Sequence, residues 1–291
     1  MRLLSHHSGM RIIAMIATIV AGTAPITVAS QSVLVAPNVV VIDGHSRTTA
    51  ITLVNTGNAP AEVSLSTAFG YPVSDSRGAM RLQTSAVVDY SMPSAAEFVH
   101  AYPSDLVLAP GARRVVRLLA SPPAGTPDGE YWARLVVTTR SARTGQAELA
   151  SDASASHIGI DLEIRSMLAL FYRQGAVTTG VAIDSLRATV ADDSVRLRVP
   201  LIRLGNAAFV GSVRATLRDS VGAVRSTSIV PLGVYFDLTP AIALNRKGLR
   251  PGVYELEIEA STRRPDAPAQ LLTQAAPVRA RTPIILGPVS P

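Results

Sequence analysis

The residues that could do chemistry are few, and their spacing suits none of the common reactions. Past the first thirty residues there are three histidines, His45, His100 and His157, and no two stand at the i, i+2 or i, i+4 spacing that puts metal ligands on one face. Serines are plentiful, yet no Gly-x-Ser-x-Gly elbow occurs. The adjacent acids Asp192 and Asp193 fall in a turn sequence, where aspartate is favoured for backbone reasons. No phosphate-cradling glycine loop is visible. The chain has no cysteine, so disulfides, thiolate metal sites and cysteine nucleophiles are all excluded. The sequence predicts a protein that is not an enzyme and needs no cofactor or metal.

What remains is recognition, and it concentrates in HIGIDLEIRSMLALFYRQG, residues 157–175. Ile158, Ile160, Leu162 and Ile164 share one parity and Gly159, Asp161, Glu163 and Arg165 the other, so an extended chain puts four branched apolar side chains on one face. A strand of about 17 residues is long where five or six is common. If that face lies on an exposed edge, it is an apolar stripe with unpaired backbone groups, which natural proteins cover with a partner. Burying four such side chains contributes roughly 6–12 kcal/mol gross, at about 1.5–3 each. Three occupants are open to the face: the protein's own core, a partner chain, or a second copy pairing through the same strand.

The elements that must position this strand are all extended. The rest of the chain alternates with period two, is rich in Val, Ile, Leu and Thr, and is punctuated by Pro, Gly, Asn and Asp. Strands are predicted at 33–42, 47–54, 60–68, 97–101, 112–120, 130–140 and 157–173, with turns such as Asp43-Gly44 and Asp128-Gly129. About seven strands over 140 residues is the arithmetic of an immunoglobulin-like sandwich. The second half repeats the pattern at 181–190, 194–204, 208–218, 223–231, 232–244, 253–262 and 270–286. Both halves enter a late strand through Gly-x-Tyr, at Gly129-Glu130-Tyr131 and Gly252-Val253-Tyr254. The fold class is therefore all-β, two tandem immunoglobulin-like sandwiches with a cleft between them. The expected divisions are 1–30 leader, 31–173 first sandwich, 174–180 linker and 181–291 second sandwich. Tyr131 and the sole tryptophan, Trp132, read as core packing. The polar segment 140–156 reads as a mobile loop.

Bulk properties set the setting. Arg2 and Arg11, the apolar stretch Ile12 to Gly22, and Val28-Ala29-Ser30 before Gln31 read as an export leader cleaved near Ser30. The stretch is shorter than the roughly 20 residues of a membrane span, and no later segment replaces it. Formal charge is +6, and setting aside Arg2 and Arg11 leaves +4. Lys247 is the one lysine, so the positive charge is almost wholly arginine, the residue that grips carboxylates bidentately. The arginines are scattered singly without interleaved aromatics, which argues against nucleic acid as a partner.

Four stretches carry a family resemblance: VVVIDGHSRTTAITLVNTGNAPAEV (39–63), PSDLVLAPGARRVVRL (103–118), DGEYWARL (128–135) and above all LFYR, Leu170 to Arg173. Here the chain resembles the periplasmic pilus-assembly chaperones of the chaperone–usher type, most closely in its first half. The resemblance implies two immunoglobulin-like domains set like a boomerang, a periplasmic location, secreted pilus-type subunits as partners, and an outer-membrane usher. It implies that the last strand of the first domain completes a subunit's fold by strand addition. Counted back from LFYR, the donor positions fall on Ile160, Leu162 and Ile164, with Ile158 extending the row. The polar loop before the strand is similar to that of the family's long-loop branch. The family's two basic residues that anchor a subunit's terminal carboxylate correspond to Val39 and Ala169, neither of which is basic. Arg165, on the face of Ala169 and about 13 Å along the strand, is the substitute anchor that the resemblance suggests. The alternative is a non-catalytic cell-envelope structural or interaction module that kept the fold and lost carboxylate capture.

Overall fold

The computed structural model describes residues 33–85, 91–141, 162–191 and 193–288. The first half forms β1 (Val33–Ala36), β2 (Val39–Asp43), β3 (Thr48–Asn55), β4 (Ala61–Ser74), β5 (Met80–Ser85), β6 (Val99–Tyr102), β7 (Asp105–Leu108), β8 (Arg113–Ala120), β9 (Gly129–Ser141) and β10 (Glu163–Gln174). They make two sheets, β1-β3-β8-β6 and β2-β10-β9-β4-β5, with β7 paired to β4. Alternation drives this assembly: along β3 and β8 every second residue is buried, and Ile51, Leu53, Val116 and Leu118 from one sheet meet Val63, Leu135, Val137 and Leu170 from the other. Truncating one such leucine to alanine costs about 2–5 kcal/mol.

The second half adds β11 (Thr179–Ile183), β12 (Arg187–Val190), β13 (Ser194–Arg198), β14 (Leu201–Gly205), β15 (Phe209–Arg218), β16 (Val224–Val234), β17 (Ala241–Asn245), β18 (Gly252–Ser261) and β19 (Val278–Leu286). Its sheets are β16-β15-β18-β19, β12-β13-β17 and β11-β14, closed over Phe209, Val213, Leu217, Leu244, Leu256 and Ile258. The chain is thus all-β, two tandem immunoglobulin-like sandwiches.

Several predicted strands are corrected by proline chemistry. The stretch 33–42 is two strands in different sheets, because Pro37 has no N–H to give a ladder. Pro200 divides 194–204 in the same way. Pro231 does not divide 223–244 where expected. It lies inside β16, an edge strand, where the missing donor harms no ladder. That break comes later, between β16 and β17. Ordered pairing at the end of the chain begins at Val278 rather than 270, and β5 and β7 are additional strands.

A third apolar cluster joins the halves. Phe69, Trp132 and Phe171 of the first sandwich pack with Ala208, Val210, Tyr235 and Leu271 of the second. Trp132 lies 4.9 Å from Tyr235 and 5.5 Å from Phe236, ring centroid to centroid. Neighbours on a strand face opposite ways, so Tyr131 packs against the first core while Trp132 fills the joint. The β4–β5 hairpin reaches across as an arm. Gly78 O accepts from Ala241 N at 2.9 Å, Ser74 Oγ accepts from Thr239 N at 2.9 Å, and Arg198 donates to Ser76 O.

Candidate functional site

Strand β10 changes partners along its length. All of it pairs antiparallel with β9, from Glu163↔Arg140 to Gln174↔Gly129. On its other side only Ala169 to Arg173 pair, in parallel with Val39 to Asp43 of β2. Residues Glu163 to Leu168 therefore form a half-strand with one ladder and an open edge among the described residues. Burial follows the same division. On the even parity Leu168, Leu170 and Tyr172 sit in the first core, whereas Ile164 is 36% and Leu162 58% exposed. On the odd parity Phe171 fills the joint and Met167 is 47% exposed.

Of the residues singled out in the sequence, Ile164 is thus partly exposed on the free half, in line with the core face, and Leu162 is exposed just before the strand begins. Ile158, Ile160 and His157 lie outside the described residues. Arg165 is engaged locally. Its guanidinium donates to Glu163, which also accepts from Arg140, and the Arg140 and Arg165 hydrogen bonds hold the Glu163 carboxyl below its ordinary pKa.

Val39 and Ala169 are direct partners across the β2–β10 ladder, and both pack against the joint cluster. Continuing along that row, Ala169 pairs with Arg134 of β9 and Arg134 with Ala68 of β4. Sequence reading missed Arg134. Its row neighbours depend on the β9–β10 register, which the long segment between these strands does not reveal. The alternation Trp132, Arg134, Val136 was the available signal. Arg134 donates from Nε to Gly70 O at 3.0 Å, and its guanidinium carbon sits 5.6 Å from the centre of the Tyr235 ring. Burial pushes the Tyr235 hydroxyl up to about 12, against the lowering pull of Arg134.

Beside this row the joint is locked by a buried charge pair. Glu130 is 1% exposed, and its carboxylate accepts from Arg173 Nε at 2.8 Å, Trp132 Nε1 at 2.8 Å and Ala208 N at 3.0 Å. Arg173 also donates to the carbonyls of Gln270 (2.9 Å) and Leu271 (2.6 Å), so the last residue of LFYR ties the first sandwich to the second. Gly175 follows at φ +57°, where a Cβ would stand 1.9 Å from Asp128 Oδ1. That conformation favours glycine, and next to it Ala176 N donates to Asp128 Oδ2 at 3.0 Å, which ties the connection to the first sandwich.

Among the described residues no group of three or more His, Asp or Glu side chains could hold a metal ion, and no helix is long and apolar enough to cross a membrane. The arrangement offers an open strand edge, an exposed apolar row and a cation beside an apolar joint.

By its ladders the chain is an immunoglobulin-like two-sandwich protein in which, among the described residues, the first half of β10 has one open side. No known protein-family profile matches it, and no curated protein does. In structure it is similar to the YadV chaperone, at 14% identity and TM-score 0.40, covering 86% of this chain and 99% of that one. It is also similar to a chain of the CsuC–CsuE chaperone–tip adhesion subunit complex of Acinetobacter baumannii, at 15% identity and TM-score 0.43 over 79% and 92% of the two chains. A third similarity, at 15% identity and TM-score 0.39, is to a chain of the Salmonella enterica SafA pilin–SafB chaperone complex, over 86% and 95%.

Proposed function

We propose that the chain is an exported, periplasmic, chaperone-like protein that binds secreted β-subunits of pilus type by lending the 157–168 strand to their fold. The observation that carries this reading is the open edge of Glu163 to Leu168 together with the exposure of Leu162 and Ile164. Backbone pairing along that edge supplies affinity, and the alternating row Ile158, Ile160, Leu162, Ile164 supplies register. The units are 31–173 and 181–291, joined through 174–180, with the leader removed near Ser30. No catalytic step is involved.

In this reading Arg134, rather than Arg165, is the cation available to a subunit's terminal carboxylate. It stands in the row of Val39 and Ala169, whereas Arg165 is held by Glu163. The alternative, an envelope interaction module without carboxylate capture, is favoured by one observation: the row positions Val39 and Ala169 are apolar and packed into the joint.

The test replaces Ile160, Leu162 and Ile164 with Thr and compares the proteins that co-purify from periplasmic extract. The chaperone reading expects the small secreted β-subunits to be lost while far-ultraviolet circular dichroism is unchanged. Retention of the same subunits by the folded variant contradicts it.

A further inference from the structure

A strand at the end of a sheet presents an unpaired row of N–H and C=O groups, and native folds blunt such edges by keeping them short, charged or proline-bearing. Among the described residues, every terminal strand but β16 and β19 has at most six residues. The open half of β10 is equally short and bears Glu163 and Arg165. β19 has nine residues and carries Arg279, Arg281 and Pro283. β16, the opposite terminal strand of that sheet, is the exception. It has 11 residues, and its first seven, VRSTSIV from Val224 to Val230, pair with β15 on one side only. Its one charged side chain, Arg225, turns back to Asp219, with Nε 2.6 Å from Oδ2. Val224 and Ile229 are 52% and 51% exposed, and Pro231 stands where the open run stops.

VRSTSIV is also close to a palindrome. Two antiparallel copies related by a two-fold axis through Thr227 set Thr227 against Thr227, Ser226 against Ser228, Val224 against Val230 and Arg225 against Ile229. Threonine and serine face their own kind, valine faces valine, and the arginine stem covers isoleucine, which are the cross-strand pairs that stabilise antiparallel sheets. Only this centre uses all seven positions. An axis through Ser228 brings in Pro231, and one through Ser226 runs into the turn closed by Gly222 N on Asp219 O. A register shift against β15 at Leu217/Arg218 disturbs the start of the run, so it touches the outermost pairs and not the central three. We propose that β16 is the contact between two copies of this chain, joined edge to edge as an isologous dimer with one continuous sheet of eight strands, four from each copy. The pairing covers Val224 and Ile229. Seven residues make a small interface, so the dimer depends on concentration. It lies in the second sandwich and leaves the half-strand of β10 open in both copies.

Sedimentation equilibrium of the purified protein should show a dimer fraction that rises with concentration. Thr227 is exposed, so a charge there is compatible with the fold. Thr227→Lys and Thr227→Glu each set like charges opposite one another across the axis, and each should leave only monomer with circular dichroism unchanged. An equal mixture of the two should restore the dimer, because lysine then faces glutamate. Ser166→Lys, on the open half of β10, should leave dimerisation as it was. A single monomer mass for the unaltered protein at every concentration up to about 1 mM overturns the proposal and leaves the edge to a strand of another protein. It is equally overturned by a dimer that survives Thr227→Lys, by one that Ser166→Lys removes, or by a mixture of the folded charge variants that stays monomeric. Subunit capture by β10 is read separately, by co-purification, so either reading can fail without the other.

Discussion

Val39 and Ala169 face each other across a parallel ladder, and the side chain that continues their row is Arg134. Two apolar positions next to one arginine, stacked on Tyr235, make this row of the joint a packed surface. On the proposed reading, the free half of β10 offers an edge and an apolar row, and Arg134 is the cation in line with Val39 and Ala169.

The Arg173–Glu130 pair holds the joint. Arg173→Ala strands a carboxylate that is 1% exposed, a loss expected to cost about 3–5 kcal/mol. Trp132, the sole tryptophan, reports the site directly because its indole N–H bonds to Glu130. In urea, the variant's tryptophan emission should shift to the red before circular dichroism reports loss of strands. In the unaltered protein the two signals should run closer together.

Tyr235 gives the joint a pH signature. Its hydroxyl is raised from 10.0 to about 12, chiefly by burial, so the folded state favours the neutral phenol. The sign follows: this contribution is fully present below pH 10 and is lost as pH rises from 10 toward 12. Ultraviolet titration of phenolate should show a late step that disappears in Tyr235→Phe. Arg134→Met should move that step later still, because Arg134 lowers the Tyr235 value. If every tyrosine ionises together near pH 10 in the folded protein, the packed joint is wrong.

The arm has its own control. Gly78 and Gly222 share φ +83°, but a Cβ on Gly78 would stand 2.6 Å from Ala241 N, and one on Gly222 would meet nothing within 4 Å. Gly222→Ala should cost about 1–2 kcal/mol from backbone conformation alone. Gly78→Ala should cost more and should speed proteolytic cleavage in the 75–79 turn, since the arm can no longer seat on the second sandwich. Equal effects of the two substitutions would mean that the arm is not docked.

The architecture was legible because its cause is local. The alternation of TTAITLVN and RRVVRLLA directly names the residues that became the first core. The breaks were misread at all three prolines: 33–42 and 194–204 were read through Pro37 and Pro200, which divide them, and a break was placed at Pro231, which an edge strand tolerates, because edge position is a property of the sheet and not of the strand. The same limit applies to the site. The row of Leu162 and Ile164 could be read from parity, but that β2 covers β10 only from Ala169 onward could not. Nor could the partnership of Arg173 with Glu130, 43 residues earlier, or the place of Trp132 in the joint rather than in a sandwich core. Those depend on register and on how two sandwiches meet.

Amide hydrogen exchange across residues 163–168, with and without the co-purified subunit fraction, tests the lending of this strand most directly. The account predicts that open-edge amides of this half-strand exchange fast in the free protein and become protected in the complex, while amides of 169–173, already paired on both sides, change little. Protection of 163–168 that is already complete in the free protein, or that does not change when the subunits bind, would contradict it.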